Sequence, residues 1–281
     1  MKRSPNWIDY HIHPNYSLDA EGEIFEYCAL ARKLGYREIG FTPHLELDPE
    51  RKEKDDKINL KGKIVSMRSD WLSDYFAEIE RARRIYPDLK IRAGIEVGYE
   101  KSIGKEITQM INSYPFDYTL GAIHCLRHIA ITSREEAKRI KEELTTTEEF
   151  LMEYFSLLRE ALFSSLFDVL AHIDGYKKYC WEIYGISLLK EGNRFLESFL
   201  REMSGTEVGM EINLSGFRHQ LKEPYPSLAL IKKAKDFGVK AFILGSDCHR
   251  LSDFGLFRER GREIVHSLRI RLKRFNRRRR I

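Results

Sequence analysis

Six of the nine histidines in this 281-residue sequence stand where a short apolar run stops. The run from Trp7 ends in His11-Ile12-His13. Phe41-Thr42-Pro43 leads to His44, Gly121-Ala122-Ile123 to His124, and Leu170-Ala171 to His172-Ile173-Asp174. The last such run ends in Gly245-Ser246-Asp247-Cys248-His249, and Glu96 sits inside Gly94-Ile95-Glu96-Val97. Residues two apart on a strand share a face, so His11 and His13 point the same way. Two adjacent imidazoles repel when protonated, unless a cation keeps both neutral. Imidazoles and carboxylates converging on one rim suit Zn²⁺, Fe or Mn²⁺. The donors exceed what one ion needs, which points to two or three divalent ions. Singly, His44 or His172 reads as a hydrogen-bonded core histidine, Glu96 as an ion-pair partner, and Asp247 or His249 as a loop cap. The metal reading rests on the same coincidence recurring at strand after strand. Cys248 alternates away from its neighbours and reads as a small buried side chain. His128, His219 and His266 are assigned no role.

These residues need a scaffold that brings strand ends together. Seven β-rich runs are expected, at residues 7–11, 38–42, 91–97, 118–123, 167–171, 208–213 and 241–245. Amphipathic stretches separate them. Ile24, Tyr27, Cys28, Ala31 and Leu34 share one helical face, with Gly35 as the C-terminal cap. A helix from Trp71 stops before Pro87. Thr146-Thr147-Glu148-Glu149 fits a capping box opening another helix. Further helices carry Phe195 to Met203 and run from after Pro226 to Gly238. Strands alternating with helices imply a parallel sheet covered by helices. An open doubly wound sheet and a barrel both satisfy that order; a barrel places its functional residues at the C-terminal strand ends. Residues 48–63 are charged and read as a loop insertion.

With 42% hydrophobic residues, the chain can bury one large core. No apolar run is long enough to span a bilayer. Cys28, Cys125, Cys180 and Cys248 are far apart, which reads as reduced thiols and a cytoplasmic protein. The net charge is +5, yet residues 267–281 hold eight Lys or Arg and no acid. The rest of the chain is therefore net acidic. We expect residues 1–266 to form the barrel domain and 267–281 a basic tail, frayed and solvated beyond the last helix and dispensable for activity. The acidic body argues against nucleic acid as a partner. The sequence contains no Gly-x-Ser-x-Gly elbow, P-loop or dinucleotide fingerprint.

The order His-x-His, His, Glu, His, His, Asp-x-His resembles the polymerase-and-histidinol-phosphatase (PHP) superfamily, from about Trp7 to His266. Gly94 to Tyr99, Phe167 to Asp174, Glu211 to Arg218 and Glu223-Pro224-Tyr225-Pro226-Ser227 are most similar to its histidinol-phosphatase branch. The resemblance implies an α/β fold, a distorted (β/α)7 barrel with the site at the C-terminal strand ends. It implies a first metal on His11, His13, Glu96 and Asp247. Glu96 would bridge to a second on His124 and His172, and Asp19, His44 and His249 would hold a third. Glu96 and Asp247 are the implied catalytic carboxylates. Lys177, where the family places an arginine, and Arg218 would bind phosphate. The implied reaction is hydrolysis of a small phosphate ester, L-histidinol phosphate, by a metal-bridging hydroxide. The alternative within the superfamily is a phosphodiesterase or exonuclease; outside it, a regulatory module that has lost catalysis.

Overall fold

The structure is a computed structural model and describes residues 7–280. Seven parallel strands line up in chain order: β1 (Trp7–Ile12), β2 (Tyr36–Phe41), β3 (Lys90–Gly98), β4 (Tyr118–Ala122), β5 (Val169–Leu170), β6 (Gly209–Asn213) and β7 (Phe242–Gly245). A short strand, His44–Glu46, continues past β2 and pairs with the end of β3, setting His44 opposite Glu96. The ring closes nearly completely between β7 and β1. There Ile12 bridges Cys248 in parallel, and Ser246 N–H donates to the Asp9 carboxylate at 2.9 Å. This distorted seven-stranded barrel is the fold the family resemblance implies, and one of the two that the alternation of strands and helices allows. The strands are buried almost throughout, as in a sheet covered by helices.

Seven longer helices surround the barrel: α1 (Ile24–Leu34), α2 (Trp71–Ile85), α3 (Gly104–Ser113), α4 (Thr147–Phe163), α5 (Ile186–Ser204), α6 (Leu228–Phe237) and α7 (Arg258–Ser267). Gly35 and Gly238 end α1 and α6 in left-handed conformations that spare them a Cβ penalty. Thr146 Oγ accepts from Glu149 N–H while the Glu149 carboxylate accepts from Thr146 N–H, as the capping box requires. Inside the barrel, Ile8, Tyr10, Tyr118, Leu120, Val169 and Ile243 form their own cluster. Tyr118 fits because β2 and β3 present Gly40 and Gly94 to it. A Cβ at Gly40 would lie 2.2 Å from its hydroxyl oxygen.

Two segments differ from expectation. Residues 48–65 are an ordered flap, with a turn at Pro49–Arg51, a short helix at Lys52–Asp55 and a hairpin at Ile58–Val65. Arg51 anchors it through Glu136 at 2.6 Å and the His128 carbonyl at 2.8 Å. The tail is not a frayed helix end. Phe275–Asn276 and Arg279–Arg280 form a hairpin against the N-terminal end of the barrel. Phe275 is 1% exposed and packs on Tyr10 and Tyr118. Arg278 donates to Asp168 at 3.0 Å and to the Leu166 carbonyl at 2.8 Å. Both Arg278 acceptors lie more than a hundred residues away in sequence.

Candidate metal centre

The strands deliver their polar ends to one rim. His11 sits near the end of β1 and His13 just after it, His44 opens the short strand after β2, and Glu96 sits near the end of β3. His124, His172 and the Asp247–His249 pair follow β4, β5 and β7. Glu96 is 1% exposed and lies at the centre. Its Oε1 is 2.8 Å from His172 Nε2, 3.3 Å from His11 Nε2 and 3.4 Å from His124 Nε2. Its Oε2 is 2.9 Å from His44 Nδ1 and 3.5 Å from His13 Nε2. Asp247 Oδ1 lies 3.3 Å from His13 Nε2 and 3.7 Å from His11 Nε2. Asp19 stands at the margin, 64% exposed, with Oδ2 at 3.3 Å from His249 Nε2 and Oδ1 at 3.8 Å from His44 Nε2. All nine expected ligands are thus gathered, with Asp19 the most peripheral.

The residues fit divalent ions. His11 Nε2 and His13 Nε2 face each other at 3.0 Å, and both rings are fully buried. The His13 ring also lies 4.2 Å from His44 and 4.1 Å from His249, centroid to centroid. Burial, together with the charges of His249 and His44, pushes the His13 pKa well below the usual value. Burial works to raise the Glu96 carboxyl, but His11 and His124 hold it well below the ordinary range. Such a packing of imidazole nitrogens around buried carboxylates is what a cation organises. Four donors about 2.0–2.1 Å from one ion in a tetrahedron are about 3.3 Å apart. Five donor–donor separations among His11, His13, Glu96 and Asp247 run from 3.0 to 3.7 Å. His172 and Asp247 adopt positive φ, 25° and 50°. Non-glycine residues held there store strain, which clusters at functional sites.

Above the rim opens a cavity of about 340 Å³, walled by His44, Glu96, His124, His172, Asp247 and His249 and by the flap residues Arg51, Lys54 and Asp55. The two residues expected to bind phosphate do not line it. Lys177 is 2% exposed and paired with the buried Asp174 at 2.8 Å. Arg218 donates to the Ser246 carbonyl at 3.1 Å and the Asp247 carbonyl at 2.6 Å, bracing the turn that carries Asp247. The turn Gly175–Lys178 presents Lys178 to the cavity instead. One residue of register separates the buried lysine from the cavity lysine, which no sequence period resolves. Two carboxylates went unassigned from sequence. Glu46 reaches His124 Nδ1 at 2.6 Å, and Glu211 reaches His11 Nδ1 at 2.7 Å. The signal for both was an acid placed two residues from another polar group on a strand, Glu46 after His44 and Glu211 before Asn213.

A family profile described as the PHP domain matches residues 9–215. A histidinol-phosphatase of Lactococcus lactis is 28% identical over 245 residues, 86% of this chain and 84% of that protein. One of Bacillus subtilis is 24% identical over 261 residues, 88% of this chain and 95% of that protein. In structure, a histidinol phosphate phosphatase of Lactococcus lactis, solved with zinc, L-histidinol and phosphate, shares the fold with a TM-score of 0.74. That match covers 98% of both chains at 22% identity.

Proposed function

The chain belongs to the PHP-domain family, and on that premise we propose that it is a metal-dependent phosphomonoesterase acting on L-histidinol phosphate. One observation carries the reading: a buried carboxylate, Glu96, with five imidazoles within 3.5 Å, at the floor of an open cavity. His11, His13, Glu96 and Asp247 would hold one ion, Glu96, His124 and His172 a second, and Asp19, His44 and His249 a third. Zinc, iron and manganese all suit this donor set. Divalent ions bound there neutralise phosphate oxygens and lower the pKa of a water. Glu96 and Asp247 are the proposed catalytic carboxylates. Both line the cavity and both are shared among several imidazoles. The relatives named as histidinol-phosphatases support the substrate. Among the described residues, no helix is long and apolar enough to cross a membrane.

Lys178 is the cation we assign to the phosphate. A charge-assisted contact contributes about 1.5–3 kcal/mol. Lys178→Ala is therefore expected to lower kcat/KM about ten- to hundredfold with metal content intact. Arg218→Ala should instead lower the melting temperature, because two carbonyls lose their donor. Unchanged kinetics in Lys178→Ala, with phosphate affinity lost in a fully stable Arg218→Ala, would return the clamp to Arg218.

Hydrolysis of nucleic acid or nucleotides is less well supported. The arginine-rich hairpin that would attract a strand sits at the opposite end of the barrel from the cavity. Steady-state kinetics on histidinol phosphate and on a dinucleotide separate the two readings. The proposal expects turnover of the first and little of the second; the reverse order would overturn it.

A further inference from the structure

We infer that two carboxylates outside the proposed ligand set, Glu211 and Glu46, are positioning residues that fix which ring nitrogen of His11 and His124 carries the proton. The inference rests on the metal centre proposed for this site. Glu211, on β6, is fully buried. Its Oε1 lies 2.7 Å from His11 Nδ1. Its Oε2 accepts from the His172 backbone N–H at 2.9 Å and from Asn213 Nδ2 at 3.0 Å. Three donors converge on one carboxylate, and an ionised carboxylate has no hydrogen to give. His11 must therefore carry its proton on Nδ1. With an ion bound, its Nε2 would supply the lone pair, and it faces His13 Nε2 at 3.0 Å and Glu96 Oε1 at 3.3 Å. His124 repeats the arrangement, with Nδ1 at 2.6 Å from Glu46 Oε1 and Nε2 at 3.4 Å from Glu96 Oε1.

The backbone keeps room for both carboxylates. A Cβ at Gly245 would lie 2.0 Å from Glu211 Oε1, and one at Gly98 would lie 1.9 Å from Glu46 Oε2. Each acid is thus seated over a glycine on a barrel strand, which points to a fixed placement. Glutamine cannot replace Glu211. Whichever oxygen position becomes the amide nitrogen turns a hydrogen toward a donor. Carboxylate partners of this kind hold a ligating ring in its tautomer and orientation, and losing one weakens metal binding about 10–100-fold.

The test uses full-length, zinc-loaded protein labelled with ¹⁵N-histidine, and competition for zinc with a chelating dye. Wild type should show His11 and His124 protonated at Nδ1. Glu211→Gln and Glu46→Ala should lose that pattern at His11 and His124 respectively, and bind zinc about 10–100-fold more weakly. Glu38→Gln is the control for general destabilisation. Glu38 is equally buried but serves Tyr10 and Arg92 at the far end of the barrel, so its variant should melt earlier and keep zinc affinity. Wild-type tautomers and zinc affinity in both site variants would overturn the inference. So would a loss of affinity in Glu38→Gln as large as theirs. Failure of the wild type itself to bind zinc or another divalent ion would instead remove the metal centre on which the inference rests.

Discussion

Replacing Glu96 by glutamine is expected to strip metal from the protein and lower turnover by about 10²–10⁴-fold, while the barrel stays folded. Both Glu96 oxygens are engaged, one toward His11, His124 and His172 and the other toward His13 and His44. No other carboxylate reaches all five rings. An amide of the same shape keeps the packing but removes the charge that would balance the cations of the proposed centre. Bound divalent ions supply several kcal/mol of transition-state charge stabilisation, and losing about 3–5 kcal/mol of it converts to the stated range in rate. Elemental analysis and phosphate release on the same sample check it. Full metal content with wild-type turnover would remove Glu96 from the site.

The second large effect lies at the opposite end of the molecule. Phe275→Ala is expected to destabilise the fold by about 3–5 kcal/mol, the usual cost of emptying a buried phenylalanine site. Phe275 closes the inside of the barrel over Tyr10, whose hydroxyl accepts its backbone N–H at 3.2 Å. Arg278 N–H also donates to the Asp117 carbonyl at 2.8 Å, tying the hairpin to the entrance of β4. Truncation after His266 should therefore cost at least as much, although no tail residue lines the cavity. Denaturant unfolding measures the effect, and activity per folded molecule should be unchanged. Wild-type stability in Phe275→Ala would mean that the hairpin adds nothing to the barrel.

The sequence made the strands legible because each is a short apolar run with a chemically distinct end. The histidines at those ends marked both the scaffold's direction and the site. Barrel closure was not legible. It depends on Asp9 meeting Ser246 and on Ile12 meeting Cys248, contacts across most of the chain that no local period encodes. Helix α3 was missed because it opens at Gly104, without a side-chain cap. The tail was misread because its buried apolar residues, Ile270 and Phe275, are interspersed with basic ones, and the acceptors Asp117 and Asp168 stand at the entrances of β4 and β5, far away in sequence. The clustered histidines, Glu96 and Asp247 were readable by type and position, whereas Asp19 entered only through the family resemblance. Lys177 was not distinguishable from Lys178, because burial in a tight turn is decided by what packs there, here Asp174.

A metal cluster of more than one ion is what would make this chain the proposed phosphomonoesterase. The direct measurement is a titration of the chelator-treated protein with zinc or manganese, following phosphate release from L-histidinol phosphate. The account predicts that turnover is absent without metal and returns only as more than one equivalent per chain is bound. Undiminished turnover in metal-free protein, or no phosphate release at any metal loading, would contradict it.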